Sequence, residues 1–307
     1  MTPQRPAILG TRGSNLALVQ AEDCAASLRE SGIEVEVRII RTTSEHLPDT
    51  PLAVIDQRDV FTRQLDEALL SGEIDLAVHS LKDVPTELPE GISLCAVTRR
   101  YDPSDVLVSD GRYNLDELPH EAVVATSSLR RKAQLLNHRP DLEIVDIRGN
   151  VDTRVRKMRE GAADAVVLAR AGLERLGLDA PHTVIPSHVV LPAVGQGALA
   201  VATMRDHPLL DPIRNALNHG PTERAVLAER AMLSALEGGC RVPVGAISAT
   251  KGSAVRLGGI VISPDGALAY RGEAEGEEPE EVGKRLAFDL LDQGAAVVLG
   301  EIRELRR

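Results

Sequence analysis

The sequence predicts an α/β protein made of two related α/β domains with a cleft between them, plus a small C-terminal α+β domain. Three observations carry this. Short apolar runs end at Thr/Ser- or Gly-rich turns and are followed by residues at helical spacing. That order of features occurs twice before residue 170. After about residue 220 the rhythm changes to alternating strands around a tight turn.

In the first repeat, Ala7–Leu9 ends at Gly10-Thr11-Arg12-Gly13-Ser14, and Leu18, Ala21, Ala25 and Leu28 then share one helical face. Val35–Ile40 alternates like a strand, Phe61–Leu70 is helical and stops before Gly72, and Asp75–Val78 is again strand-like. In the second, Ala122–Ala125 leads into Thr126-Ser127-Ser128 and a helix through Leu129, Ala133 and Leu136. A strand at Ile144–Ile147 follows. Then come a helix over Val151–Glu160, capped by Asn150 and stopped at Gly161, and a strand at Asp164–Leu168. Gly72…Asp75 thus matches Gly161…Asp164. Thr11 and Asp75 are 64 residues apart and Thr126 and Asp164 are 38 apart, so 26 extra residues fit an insertion around 41–60. Strands alternating with helices predict mostly parallel sheets. Tyr101-Asp102-Pro103 and Leu191–Gly197 are candidate hinges. Beyond them lie a helix over Thr222–Leu236, strands at Val255–Ile262 and Leu268–Gly272 around Pro264-Asp265-Gly266, and a last helix over about Glu280–Gln293.

A chain of 307 residues is long enough for two or three domains. With aromatics at only 2%, its cores must be built from Leu, Val, Ile and Ala. No stretch approaches the roughly 20 apolar residues that span a bilayer, and the N-terminus lacks the apolar run of a signal peptide. A cytoplasmic protein without membrane association is expected. Cys24, Cys95 and Cys240 lie far apart, the histidines are scattered, and no metal site is predicted. A net charge of −11 argues against nucleic-acid binding. Residues 126–175 nevertheless hold 11 Lys and Arg against 7 Asp and Glu, and arginines outnumber lysines 30 to 5 across the chain. Clustered arginine suits bidentate recognition of carboxylates or phosphates.

Arg130 and Arg131 fall in the first turn of their predicted helix, where the macrodipole disfavours cations. Either they splay into water, or they join the Thr126-Ser127-Ser128 hydroxyls and helix N–H groups around an anion, the favoured reading. Arg12 and Ser14 repeat the arrangement before the first helix, and Arg148, Arg154 and Arg175 add positive charge. No P-loop motif is present. His79-Ser80-Leu81-Lys82-Asp83 follows a strand, the end at which open α/β sheets bind ligands. Asp83 is a candidate acid/base group or partner for a cationic intermediate, or a turn residue before Pro85; Lys82 is a carboxylate ligand or solvated, and His79 a candidate core histidine. Cys240 sits in the Gly-rich loop Glu237–Pro243 beside Arg241, which favours a thiolate. Cys24 and Cys95 read as small buried hydrophobes.

Taken together, GTRGSNLAL (10–18), IDLAVHSLKDVP (74–85), ATSSLRR (125–131), RGNVDTR (148–154), AGLERLG (171–177), LPAVGQGA (191–198) and EGGCRVPVG (237–245) resemble the porphobilinogen deaminase (hydroxymethylbilane synthase) family. The blocks fall in order across about four-fifths of the chain. The resemblance implies a transferase of porphyrin biosynthesis that joins four porphobilinogen molecules head to tail, releasing ammonia. It implies a dipyrromethane cofactor held by a thioether on Cys240, and catalysis by Asp83. Ser80, Lys82, Thr126, Ser128, Arg130, Arg131 and Arg148 would hold the cofactor. Arg12, Ser14, Arg154, Arg175 and Gln196 would hold substrate, and a monomer is expected. Two periplasmic-binding-protein-like α/β domains are implied, with domain 1 at 1–99 and 196–217, domain 2 at 100–195 and a Cys-bearing domain 3 at 218–307.

One segment departs from the family. Where a mobile loop usually reads Gly-Gly-Lys-Gly-Leu-Phe, this chain has Asp56-Gln57-Arg58-Asp59-Val60-Phe61. Arg58 can replace the lysine charge and Phe61 is kept, but the glycines are lost. Arg170 adds a further charge beside the site motifs. A binding protein that clamps an anion without chemistry is the competing reading; the EGGCRVP block together with Asp83 counts against it.

Overall fold

The computed structural model describes residues 5–41, 62–236 and 243–304. In chain order its elements begin with β1 (Ala7–Thr11), α1 (Asn15–Glu30), β2 (Val35–Ile39), α2 (Arg63–Leu70), β3 (Leu76–Ser80), β4 (Ile92–Val97) and β5 (Asp105–Val108). Then come β6 (Val123–Ala125), α3 (Leu129–His138), β7 (Glu143–Val145), α4 (Val151–Lys157), β8 (Ala165–Ala169), α5 (Arg170–Leu176), β9 (His182–Val184), β10 (Leu199–Met204) and α6 (Leu210–Leu217). The chain closes with α7 (Gly220–Ala235), β11 (Val244–Lys251), β12 (Ala254–Ile262), β13 (Ala269–Gly276), α8 (Pro279–Leu290) and α9 (Ala296–Glu304). It divides into two compact units, one of residues 1–100 with 198–223, the other of residues 101–197 with 224–307.

The first unit is a five-stranded sheet in the order β2-β1-β3-β10-β4. Helix α1 buries Ala21, Cys24, Ala25 and Leu28 against it, on the face where Leu9, Leu76, Val78 and Val201 lie. The second face is closed by Leu65, Ala68 and Leu69 of α2 with Ile74. Three of the four residues expected on the α1 core face are buried, whereas Leu18 is only half-buried.

In the second unit the sheet order is β7-β6-β8-β5-β9. This is the first sheet again: the strand opening each repeat, β1 or β6, lies between its two parallel partners, and a strand from elsewhere in the chain is inserted beside the third. The expectation of mostly parallel sheets is corrected here. β1 pairs in parallel with β2 and β3, but β10 runs antiparallel to both β3 and β4. Likewise β6 is parallel to β7 and β8, and β5 is antiparallel to β8 and β9. The chain leaves the first unit after Arg100 and returns at Ala198, so β5 and β10 each enter a sheet without the helical crossover that a parallel neighbour requires.

The matched Gly-x-x-Asp motifs have one physical role. Gly72 (φ +72°) and Gly161 (φ +91°) end their helices in the left-handed region, which glycine enters without Cβ strain. Three residues on, Asp75 clasps β1: its N–H donates to Ile8 O at 2.9 Å, and its Oδ2 accepts from Ile8 N at 2.7 Å. Asp164 clasps Val123 in the same way, at 2.9 and 2.8 Å. The extra residues of the first repeat, 41–60, lie outside the described residues apart from Arg41.

The second unit also contains the antiparallel sheet β11-β12-β13, over which α7 and α8 bury Met232, Leu257, Leu286 and Leu290. The Pro264-Asp265-Gly266 turn is present, with Gly266 N bonded to Ser263 O at 2.9 Å. Its tip meets α3, where Asn137 Nδ2 donates to Gly266 O at 2.8 Å. Strand β11 and helix α9 were not predicted. The sequence around β11 reads as a continuation of the Gly-rich loop, and α9 follows a break at Gly294 (φ +116°).

Candidate functional site

In the first unit the candidate residues gather where β1 and β3 end. These strands are parallel neighbours, with Leu9 opposite Leu76 and Gly10 opposite Ala77, so both leave the sheet at the same edge. Arg12-Gly13-Ser14 follows one and Leu81-Lys82-Asp83 the other. Ser14 Oγ accepts from Ala17 N at 3.3 Å and caps α1, and buried Thr11 donates its hydroxyl to Ala17 O at 3.0 Å. The positive end of α1 is thereby fixed at this edge. Ser80 is held by buried Gln20, whose Nε2 donates to Ser80 Oγ at 3.0 Å while the hydroxyl donates to Gln20 Oε1 at 3.2 Å. Gln20 was missed; its only signal in the sequence is a polar residue next to the apolar face of α1.

Asp83 closes a single 3₁₀ turn over Leu81–Asp83. Leu81 anchors that turn: it is 1% exposed and its N–H donates to Ala198 O at 3.0 Å. Lys82 and Asp83 are half-buried. The candidate acid thus stands on a short, anchored segment at the carboxyl end of two parallel strands.

His79 is a core residue. Burial, helped by the nearby Arg12 guanidinium, lowers its pKa from 6.5 to about 4, so the ring is neutral at physiological pH. Between those values the unfolded chain binds a proton at this site and the folded chain does not. Stability therefore falls as pH drops from 6.5 toward 4, by about 3 kcal/mol from this residue. Urea unfolding at pH 7 and pH 4.5 should show a smaller acid loss in His79→Gln than in the parent; equal losses would refute the assignment.

The second unit builds its portion on β6. Thr126 is buried and its Oγ1 accepts from Ser128 N at 3.2 Å; Ser128 Oγ accepts from Arg131 N at 3.4 Å and caps α3. Ser127 bonds to both the N–H and the carbonyl of Ile147, pinning the turn to the segment before Arg148. Arg130 and Arg131 are each 6% exposed, which the splayed reading does not allow. Their internal partner is Asp105, a residue missed in the sequence because it lies on β5, 25 and 26 positions away. Arg130 Nη1 reaches Asp105 Oδ2 and Leu191 O, both at 2.6 Å. Arg131 grips Asp105 Oδ1 through Nε at 3.1 Å and Nη2 at 2.8 Å, and Nη1 donates to Val167 O at 3.0 Å. Burial works against a charged Asp105, but the guanidiniums of Arg130 and then Arg131 outweigh it and hold its pKa well below the usual carboxylate range. Burial also lowers the pKa of Arg130, opposed by Asp105.

Arg154 and Arg175 are oriented by backbone carbonyls. Arg154 Nε donates to Gly149 O at 2.8 Å, and Lys157 Nζ donates to Arg148 O at 3.1 Å. Gly149 has φ +111°, and a Cβ there would lie 2.6 Å from Thr153 Cγ2, so this turn requires glycine. Arg175 stacks over Tyr101, 4.4 Å from the ring centroid, and donates to Gly197 O at 3.0 Å. Gln196, 1% exposed, donates to Pro103 O at 2.6 Å and Asp105 Oδ1 at 2.8 Å. The two candidate hinge segments are thus bonded to each other. Buried Glu229 of α7 also holds the 191–197 segment, accepting from Gly195 N at 2.7 Å. Arg170 is neutralised locally by Asp102 and Glu174, each at 2.7 Å. Cys240, Arg58 and Phe61 lie outside the described residues.

A buried arginine pair on a hydroxyl-capped helix, with further arginines on neighbouring turns, is an arrangement suited to carboxylate groups. A family model described as the porphobilinogen deaminase dipyrromethane cofactor binding domain matches residues 7–211, and the C-terminal domain of the same family matches residues 224–292. Porphobilinogen deaminase of Rubrobacter xylanophilus is 68% identical over 97% of this chain and 98% of its own. The Desulforudis audaxviator enzyme is 47% identical over 98% and 99%. A periplasmic substrate-binding protein from Coxiella burnetii overlaps 73% of this chain and 96% of its own at 18% identity and a TM-score of 0.44. The chain belongs to the porphobilinogen deaminase family. It is a transferase with a dipyrromethane cofactor binding domain. A dipyrromethane bearing acetate and propionate groups fits the net positive arginine pair.

Proposed function

We propose that the chain condenses four porphobilinogen molecules head to tail into the linear tetrapyrrole hydroxymethylbilane, with release of four ammonia molecules, on a dipyrromethane primer carried by Cys240. The observation that carries this is the buried Arg130–Arg131 pair, which holds one more positive charge than Asp105 cancels, in a chain of this family. When bound, the primer supplies the pyrrole carbon from which the chain grows. Arg130, Arg131, Arg148, Thr126 and Ser128, with Ser80 and Lys82, take the primer carboxylates. Arg12, Ser14, Arg154, Arg175 and Gln196 take those of incoming units. Asp83 faces the substrate: as ammonia leaves porphobilinogen an azafulvenium cation forms, and a fixed carboxylate beside the pyrrole N–H stabilises that charge and assists proton transfer.

Three domains complete the proposal: 1–99 with 196–217, 100–195, and 218–307. The separate sheets support it. Among the described residues no helix is long and apolar enough to cross a membrane. Action as a cytoplasmic monomer belongs to the same reading.

Intact-protein mass tests this. Protein made in a porphyrin-producing host should exceed its sequence mass by two linked pyrrole units after denaturation, and should release four ammonia per tetrapyrrole. An unmodified mass would sink the tethered primer.

A further inference from the structure

Asp105 is the one buried carboxylate that the arginine pair shares. Its side chain is fully buried at the start of β5 and accepts from Arg130, Arg131 and Gln196 at distances between 2.6 and 3.1 Å. Among the described residues neither arginine has a second carboxylate partner. Two guanidiniums against one carboxylate leave the cluster one negative charge short, and a buried net charge is unfavourable until an anion answers it. The bonds to Asp105 also remove side-chain freedom from both arginines before any ligand arrives, so binding does not have to order them. Arg131 gives Asp105 two of its N–H groups and Val167 a third, and Arg130 divides Nη1 between Asp105 and Leu191 O.

We infer that Asp105 is a positioning residue for the reaction: it holds Arg130 and Arg131 as a preset pair and leaves one positive charge for a ligand carboxylate. The inference rests on the assignment of those arginines to carboxylate binding. Gln196 bonds to the same Oδ1, so Asp105 also ties the pair to the 191–197 segment.

Full-length Asp105→Glu and Asp105→Asn test it, with Arg130→Gln and Arg131→Gln as references. Thermal unfolding, primer occupancy by intact mass, KM and kcat are measured for each. Glu keeps the charge but shifts the carboxylate by one methylene. The Glu variant should stay folded and fewer of its chains should carry the primer mass; kcat per total chain should fall about tenfold while KM for porphobilinogen, set by other residues, stays within about threefold. The Asn variant, with no charge at 105, should lose more occupancy. Wild-type occupancy and kcat in the Glu variant would show that charge alone matters and would overturn the positioning role. Loss of folding in both variants would make Asp105 a folding residue and would overturn it equally. Unchanged occupancy and kcat in the arginine variants would instead overturn the carboxylate-binding assignment, and the inference with it.

Discussion

Asp83→Asn should fold normally, keep its primer and lose turnover by a factor of about 10²–10⁴. The fold is spared because Asp83 is half-buried at the end of one 3₁₀ turn whose anchor is Leu81, and Asn fills the same volume. Chemistry suffers because the amide is uncharged. Stabilisation of a cation forming beside it, and any proton transfer, both need the carboxylate. Initial rates across a porphobilinogen series, together with intact mass, separate the two effects. A kcat within about threefold of the parent would remove Asp83 from the chemistry.

Cys240→Ser should abolish both the extra mass and turnover. Cysteine reactivity follows the thiolate and its exposure. Cys24 is 2% exposed on the core face of α1 and is in no disulfide. Cys95 is equally buried, its Sγ donates to Val201 O at 3.3 Å, and burial pushes its pKa up to about 12. Neither offers a nucleophile. Cys240 is the third cysteine of the sequence, flanked by glycine and Arg241. Extra mass persisting in the serine variant would place the tether elsewhere, and tryptic mapping would find it.

The local chemistry of the repeats was legible in the sequence because it is local. Gly72 and Gly161 end the helices that precede Asp75 and Asp164, as their positions in the sequence imply, whereas the capping of α1 by Ser14 and of α3 by Ser128 emerges only in the structure. Even the duplication could be read, since each Asp answers the N–H of its own first strand. Asn150 was a weaker success. It occupies the cap position of α4 but makes no side-chain cap bond, because the cap preference is statistical and Arg154 and Gly149 hold that turn instead.

Residue types and spacing alone therefore determined the repeated strand–turn–helix units, the glycines that end their helices, the arginine excess at 126–175 and the seven family blocks. Each depends on neighbours within a few positions, where propensity and hydrogen-bond geometry act directly. Only the tertiary structure decided that β5 and β10 enter their sheets antiparallel, that His79 is neutral, that Gln20 holds Ser80, and that Arg130 and Arg131 converge on Asp105. Those facts come from strands brought together over long separations. No periodicity records which carboxylate a buried guanidinium will meet; burial and strand insertion choose it.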